Sequence, residues 1–368
     1  MTQGQVAALI SGIALLIYTS PLLLTNTSGG WDFWYIWDDR ANFVENEVLQ
    51  SSMSFQTLYE MFTLVKLNVY EPLGWLLKYF IVQTMGLDAW WIRMVSVVIH
   101  FGAGFILAKV SGMVLDINFM LKKFKRSRQF ALDELRFREM SCLHFFACSL
   151  SAAVFLVHPI HVEVVAWPSA QPYTLAAFFS FWALFVHVKS IHLKLCELLF
   201  STHRTFNVKQ IGLYIANKLP VGAILLVFVS VTGFSNIGGG KPEMISLSVG
   251  ERVLKALSSP IWIFRRFVWP SNLRPHYQIR SGDLSIGNPE CLLSLATTTF
   301  ILAIIIWNSW HRGVSKHMLS LVFFIVHYDV AACIRIAGAN RYAYLPTAIV
   351  VPYGGWSTYS MRGDALLI

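Results

Sequence analysis

Charge is scarce in this chain: 13% of its 368 residues are Asp, Glu, Lys or Arg, whereas 55% are hydrophobic and the mean hydropathy is +0.55. A soluble domain carries roughly a quarter charged residues, so an ordinary soluble fold is excluded. The sequence also lacks the succession of short alternating segments that builds a transmembrane β-barrel. Its five cysteines (Cys142, Cys148, Cys196, Cys291 and Cys333) have no zinc-like spacing, fall mostly in apolar runs and read as small core residues. The run GGG at 238–240, followed by Lys241, has neither Walker spacing nor a preceding buried strand, and reads as a hinge rather than a phosphate loop. No internal repeat appears, tetratricopeptide-like or other.

What is present is a series of apolar runs near the membrane-spanning length. The fold class this predicts is all-α: a polytopic helical membrane protein. The net charge of +9 fits Lys and Arg collected in cytoplasmic loops better than a nucleic-acid surface. The first run, about 6–24, has no basic segment before it and is long for a signal-peptide core, so it reads as a retained span. Further spans are expected near 90–115, 141–157, 168–188, 211–233, 291–309 and 318–337. The total is about seven, within a range of five to nine. The piece 72–87 is short, carries Lys78 and reads as interfacial or re-entrant.

Orientation follows from the loops. Residues 117–140 are the most basic segment, 189–210 is basic, and HRGVSK is a small basic turn. All three fall on one side if the N-terminus is cytoplasmic. The acidic loop 25–71 and the long loop 234–290 then lie on the other side, within a membrane domain of 1–356 followed by a short tail, 357–368.

Three polar elements on that far side can carry chemistry. In IWDDRANFVENE, Asp38 and Asp39 follow the aromatic run Trp31, Phe33, Trp34, Tyr35 and Trp37. Paired acids suit a general base or a metal ligand, and the rings would hold them at headgroup depth. The bland alternative is a helix cap near Arg40 or a solvated loop. HPIHVE offers His158, His161 and Glu163. It lacks the HExxH pattern, and Pro159 interrupts a helix through His158, so an orienting hydrogen-bond cluster is favoured over a metal site. Arg265, Arg266 and Arg274 lie in an aromatic stretch, and Arg341 sits in NRYAYLP. Guanidinium forks match phosphate oxygens, with snorkelling to headgroups as the alternative.

In order and spacing these elements resemble the membrane half of the transmembrane and tetratricopeptide-repeat O-mannosyltransferases, a GT-C family. WDDRANFVENE, VIHFGAGF, FLVHPIHVEVVAWPSAQPYTLAAFF, LSVGERVLKALSSPIWIFRRFVWPSNLRPHY and NRYAYLP carry the likeness, across most of residues 30–350. The resemblance implies a GT-C-like domain of the endoplasmic reticulum membrane that takes mannose from dolichyl-phosphate mannose to Ser or Thr hydroxyls of luminal proteins. It makes Asp38 and Asp39 the catalytic pair and aligns His158, His161 and Glu163 with the family's HP-x-H-x-E element and Arg341 with its RY-x-YLP arginine. No metal or other cofactor is implied beyond the lipid-linked donor; the partners are the donor, a protein acceptor and lipid, with no nucleic acid.

Two departures stand out. YEPL at 70–73 puts Glu71 where the family usually has a basic residue, and no tetratricopeptide repeats follow NRYAYLP in this sequence. Without them, a glycolipid or lipid-linked oligosaccharide acceptor stays open, as does a non-catalytic, truncated or transporting membrane protein. The expected chemistry is a single inverting displacement, with Asp38 first and Asp39 second as the base.

Overall fold

Apolar runs free of breakers propagate helix in a membrane because every backbone N–H and C=O must be satisfied within the segment. The computed structural model describes residues 3–24, 32–67, 69–124, 152–200, 230–231, 248–274, 277, 282–312, 340–345 and 347. Among the described residues, three stretches are long and apolar enough to cross a bilayer: Ala89–Ile117, Pro168–Leu193 and Pro289–Trp307. A shorter apolar stretch, Ala8–Ser20, lies within α1 (Gln3–Leu24). The chain is thus a mostly helical membrane protein. The spans expected at 211–233 (save residues 230–231) and 318–337, most of that at 141–157, the basic segments beyond Phe124 and Phe200, and the tail lie outside the described residues.

The centre is α5 (Ala89–Phe124), packed against α1 and against α7 (Gln171–Phe200). Its glycines permit close approach. A Cβ at Gly104 would come within 2.4 Å of the Leu156 side chain, and one at Gly102 within 2.8 Å of Phe178. Leu156 is fully buried, so the contact at Gly104 cannot relax outward. Val97, Phe101, Leu107, Phe155 and Phe181 fill the space around this crossing.

The stretch expected to be a polar loop is a folded module. After a π-helical turn, Arg40–Val44, come α2 (Glu47–Gln50), α3 (Phe55–Thr63), a two-stranded hairpin (β1 Val65–Lys66, β2 Val69–Tyr70) and α4 (Pro72–Met85). Ser54 caps α3 by accepting from the Thr57 N–H at 3.0 Å. Pro72 opens α4, where its missing N–H costs nothing, and Gly86, at φ 85°, closes it. Phe33 stacks on Phe43 at 5.2 Å over a core of Leu49, Met61, Trp75 and Tyr79. The aromatic run before the acids is therefore divided: Phe33 is core, while Trp34 and Tyr35 are exposed.

The 14 residues of α4 span about 21 Å, short of the roughly 30 Å hydrocarbon layer, so it does not cross on its own. Its Tyr79 hydroxyl and Gln83 amide donate to the Ser51 and Leu49 carbonyls at 3.0 and 2.9 Å. Lys78 is wholly buried, which a lysine tolerates only with a partner. Glu71 supplies the carboxylate, and the ammonium lies 4.1 Å from the centre of the Trp75 ring. The unexpected acid of YEPL thus has a structural role: from the position just before α4 it neutralises a cation buried on that helix.

Two shorter elements complete the part that positions the site. Residues 152–157, the 3-10 turn Pro159–His161 and α6 (Val162–Ala166) lead through a second 3-10 turn, Pro168–Ala170, into α7. In the second long loop, α8 (Val249–Val268) starts with a full capping box between Ser248 and Glu251 and packs on α9 (Pro289–Arg312).

Candidate functional site

The two adjacent acids have different environments. Asp39 is fully buried. It precedes the Arg40–Val44 turn but makes no cap bond to it. Its carboxylate instead reaches a segment 130 residues away. Oδ1 accepts from the Ser169 backbone N–H at 3.0 Å and from the Ser169 hydroxyl, and Oδ2 accepts from the Trp34 N–H at 3.0 Å. The Ser169 oxygen in turn accepts from Asn42 Nδ2 at 3.1 Å. Burial pushes the Asp39 pKa above the usual carboxylate value, while the Ser169 and Trp34 donors and the Arg93 charge act against that rise. Asp38 is half-buried and accepts no hydrogen bond from the described residues. The helix-cap alternative thus fails for Asp39, which caps the turn leading into α7 from outside.

Arg93, in the second turn of α5, joins the same region. Its Nε donates to the Ala166 carbonyl and its Nη2 to the Asp32 carbonyl, both at 2.8 Å. One buried guanidinium thereby ties the start of α5 to the acid module and to the end of α6.

HPIHVE and NRYAYLP meet in space. Glu163 Oε1 accepts from Arg341 Nη1 at 2.6 Å, and Oε2 accepts from the Arg341 backbone N–H at 3.3 Å. The side chains are only 6% and 10% exposed. His161 is fully buried between Phe155 and Thr347. The Phe155 carbonyl can only accept, so Nδ1 carries the hydrogen and donates to it at 2.6 Å. Nε2 lies 2.8 Å from the Thr347 hydroxyl oxygen, and that hydroxyl donates to the Ala343 carbonyl at 2.7 Å. His158 has the reverse tautomer: Nε2 donates to the Phe267 carbonyl at 2.8 Å and Nδ1 accepts from the Ile160 N–H at 3.2 Å.

Burial lowers the pKa of both histidines, farther for His161, where neighbouring His100 and His158 add to it. Both rings are therefore neutral connectors, each nitrogen within hydrogen-bonding distance of a polar partner. Among the described residues no group of three or more His, Cys, Asp or Glu side chains is placed to hold a metal ion.

Aromatic rings bridge the two halves. Trp37 meets Trp34 and Trp167 edge-to-face, at 5.6 and 5.4 Å, and the Arg341 guanidinium lies 5.1 Å from the centre of the Trp167 ring. His158 stacks on Phe267 at 4.5 Å, which brings the end of α8 to the same region.

The four arginines singled out for phosphate are not equivalent. Arg341 is buried against Glu163, and Arg265 pairs with Glu290 at 3.1 Å on the surface. Arg266 is held 3.4 Å from the Trp262 ring centre and 4.7 Å from that of Tyr277, with no carboxylate in ion-pairing distance among the described residues. Arg274 is exposed on the following loop.

Among known proteins, no family model matches this sequence, no curated protein matches it, and no solved structure matches its fold.

Sequence reasoning overlooked Asn42, Arg93 and Ser169, the anchors of Asp39, and Thr347, the partner of His161. Arg93 did carry a signal, since an arginine inside an apolar span is costly enough to imply a fixed partner. Asn42, Ser169 and Thr347 carried none, because Asn, Ser and Thr are ordinary in turns and loops.

Proposed function

We propose that the chain is a GT-C-like membrane glycosyltransferase of the endoplasmic reticulum. In this reading it transfers mannose from dolichyl-phosphate mannose to Ser or Thr hydroxyls of luminal proteins, with the N-terminus in the cytoplasm. The observation that carries it is the division of labour in the acid pair: Asp39 is fixed by three donors, and Asp38 beside it is half-buried with no hydrogen-bond donor among the described residues. A rigidly held carboxylate next to an unengaged one is what a positioned general base needs. The resemblance of WDDRANFVENE, HPIHVE and NRYAYLP to the mannosyltransferases supplies the substrate class.

The step balances as follows. The acceptor hydroxyl gives its proton to Asp38 as its oxygen bonds to the anomeric carbon. The bond from that carbon to the donor phosphate oxygen breaks, and dolichyl phosphate leaves with the electron pair. That leaving group is already a weak base, so stabilising its charge matters more than protonating it. Arg266 is the first candidate for that task, since Arg341 and Arg265 each face a carboxylate. Single attack inverts the anomeric centre.

The test is transfer of radiolabelled mannose from dolichyl-phosphate mannose to Ser/Thr-rich peptides by the purified chain in phosphatidylcholine nanodiscs. Asp38→Asn should reduce the rate at least about 100-fold, the low end of general-base contributions, with an unchanged melting temperature. Wild-type turnover in Asp38→Asn, or no transfer by the wild-type protein, would sink the reading.

A further inference from the structure

Helix α3 is amphipathic in an unusual sense, because its apolar stripe points away from the protein. Thr57 and Met61 face the module core. On nearly the opposite side Phe55, Leu58, Tyr59 and Phe62 are 86%, 37%, 58% and 42% exposed. Their i, i+3, i+4, i+7 spacing makes a stripe about 100° wide, the width normally buried by a surface helix. The polar flank is separate, with Gln56 Nε2 donating to Glu60 Oε1 at 2.8 Å.

The hairpin that follows continues the pattern. It is fixed to the end of α3 by the Tyr70 hydroxyl, which donates to the Phe62 carbonyl at 2.9 Å. Its turn carries Leu67 at φ 52°, with the side chain 44% exposed. Asn or Gly is usual where a hairpin turn requires positive φ. A leucine there exposes apolar surface at a conformational cost, so the residue is unsuited to a tip that faces water.

Two observations name the occupant. The module is continuous with membrane-spanning structure: α4 exposes Leu73 and Phe80 on one face, and a three-residue link joins it to the span Ala89–Ile117. Its outward residues are also of the interfacial kind, two phenylalanines and a tyrosine with aliphatic neighbours and the half-buried Lys66 beside the tip. We propose that the outer face of α3 and the Leu67 tip insert into the lipid at the boundary between headgroups and acyl chains. This in-plane anchor would fix the height of the acid-bearing module over the bilayer. It goes beyond mannosyl transfer and rests only on the first loop lying at the membrane.

The test places the photoreactive analogue p-benzoylphenylalanine at Phe55, Tyr59 or Phe62 of the full chain in phosphatidylcholine nanodiscs, with Gln56 as the control position. After irradiation, intact-mass spectrometry should show phosphatidylcholine adducts at the three stripe positions, at least about five-fold above Gln56, as expected for a helix half-sunk in the interface. Adducts no more frequent than at Gln56, or adducts to a second protein chain in place of lipid, would overturn the proposal. The read-out needs neither donor nor acceptor. A chain that gives lipid adducts and transfers no mannose would retain this inference while losing the enzymatic one.

Discussion

Asp39 and Ser169 are 130 positions apart in the chain and share two hydrogen bonds, one from the serine backbone and one from its hydroxyl. The bonded oxygen of Asp39 is buried at the turn that opens α7, so this pair fastens the acid module to a membrane span.

The first prediction follows from that clamp. Asp39→Asn replaces an acceptor by an amide that cannot satisfy all three donors, and Ser169→Ala leaves the carboxylate short of one. Each should lower stability by about 1–3 kcal/mol, the cost of an unsatisfied buried group. The double variant should cost less than the sum, because the two residues share one interaction. Thermal melts of the four proteins in nanodiscs decide this. Strict additivity would mean that the residues act separately.

The Glu163–Arg341 pair should behave as a buried ion pair. Glu163→Gln or Arg341→Gln alone strands a charge that is about nine-tenths buried, at a cost of about 3–5 kcal/mol. Glu163→Gln with Arg341→Gln removes both charges and should recover much of that loss. Melting temperatures of the single and double variants provide the check. The surface pair Arg265–Glu290, at 56% and 64% side-chain exposure, should by contrast contribute no more than about 1 kcal/mol.

Acidification should weaken the cluster through its histidines. Both His158 and His161 have folded-state values depressed below the ordinary 6.5. Their contribution to stability is therefore fully present above pH 6.5 and is lost as pH falls from there through the folded values. Asp39 acts in the opposite sense: its raised value favours the folded state below 3.8, and that contribution fades as pH rises through the folded value. Melting temperature measured from pH 4.5 to 8 should rise to a plateau near 6.5. In His161→Gln the histidine part of the slope should shrink. An unchanged slope in that variant would assign the pH dependence elsewhere.

The sequence made some of this legible and left the rest hidden, for physical reasons. Helical spans at 90–115, 168–188 and 291–309 stood out because twenty apolar residues have few alternatives to a membrane helix. Those stretches fall within Ala89–Ile117, Pro168–Leu193 and, save for its last two residues, Pro289–Trp307. The short helix at 72–85 was marked by its length. The folded nature of the first loop was not visible, because α2 has four residues, each β-strand has two, and polar loops and small polar-rich modules share a composition. The sequence ranks Asp38 ahead of Asp39 as the base but shows no difference between their environments. Only the tertiary approach of Ser169, Asn42 and Arg93 separates them, and no local pattern encodes contacts made across 130 residues. The meeting of HPIHVE with NRYAYLP was equally hidden, although both had been singled out.

The ties made by residues 341–347 also bear on how the protein is assembled. Glu163 awaits Arg341 across 178 residues, His161 awaits Thr347 across 186, and His100 awaits Tyr344 across 244. At about 5–20 residues per second, the usual pace of synthesis, the ribosome needs roughly ten to forty seconds to close the first of these gaps. The Asp39–Ser169 clamp is within reach well before that. The counterparts of Glu163, His161 and His100 are thus synthesised after Ser169, the partner of Asp39. A single short segment completes the polar contacts of three buried groups that are synthesised long before it.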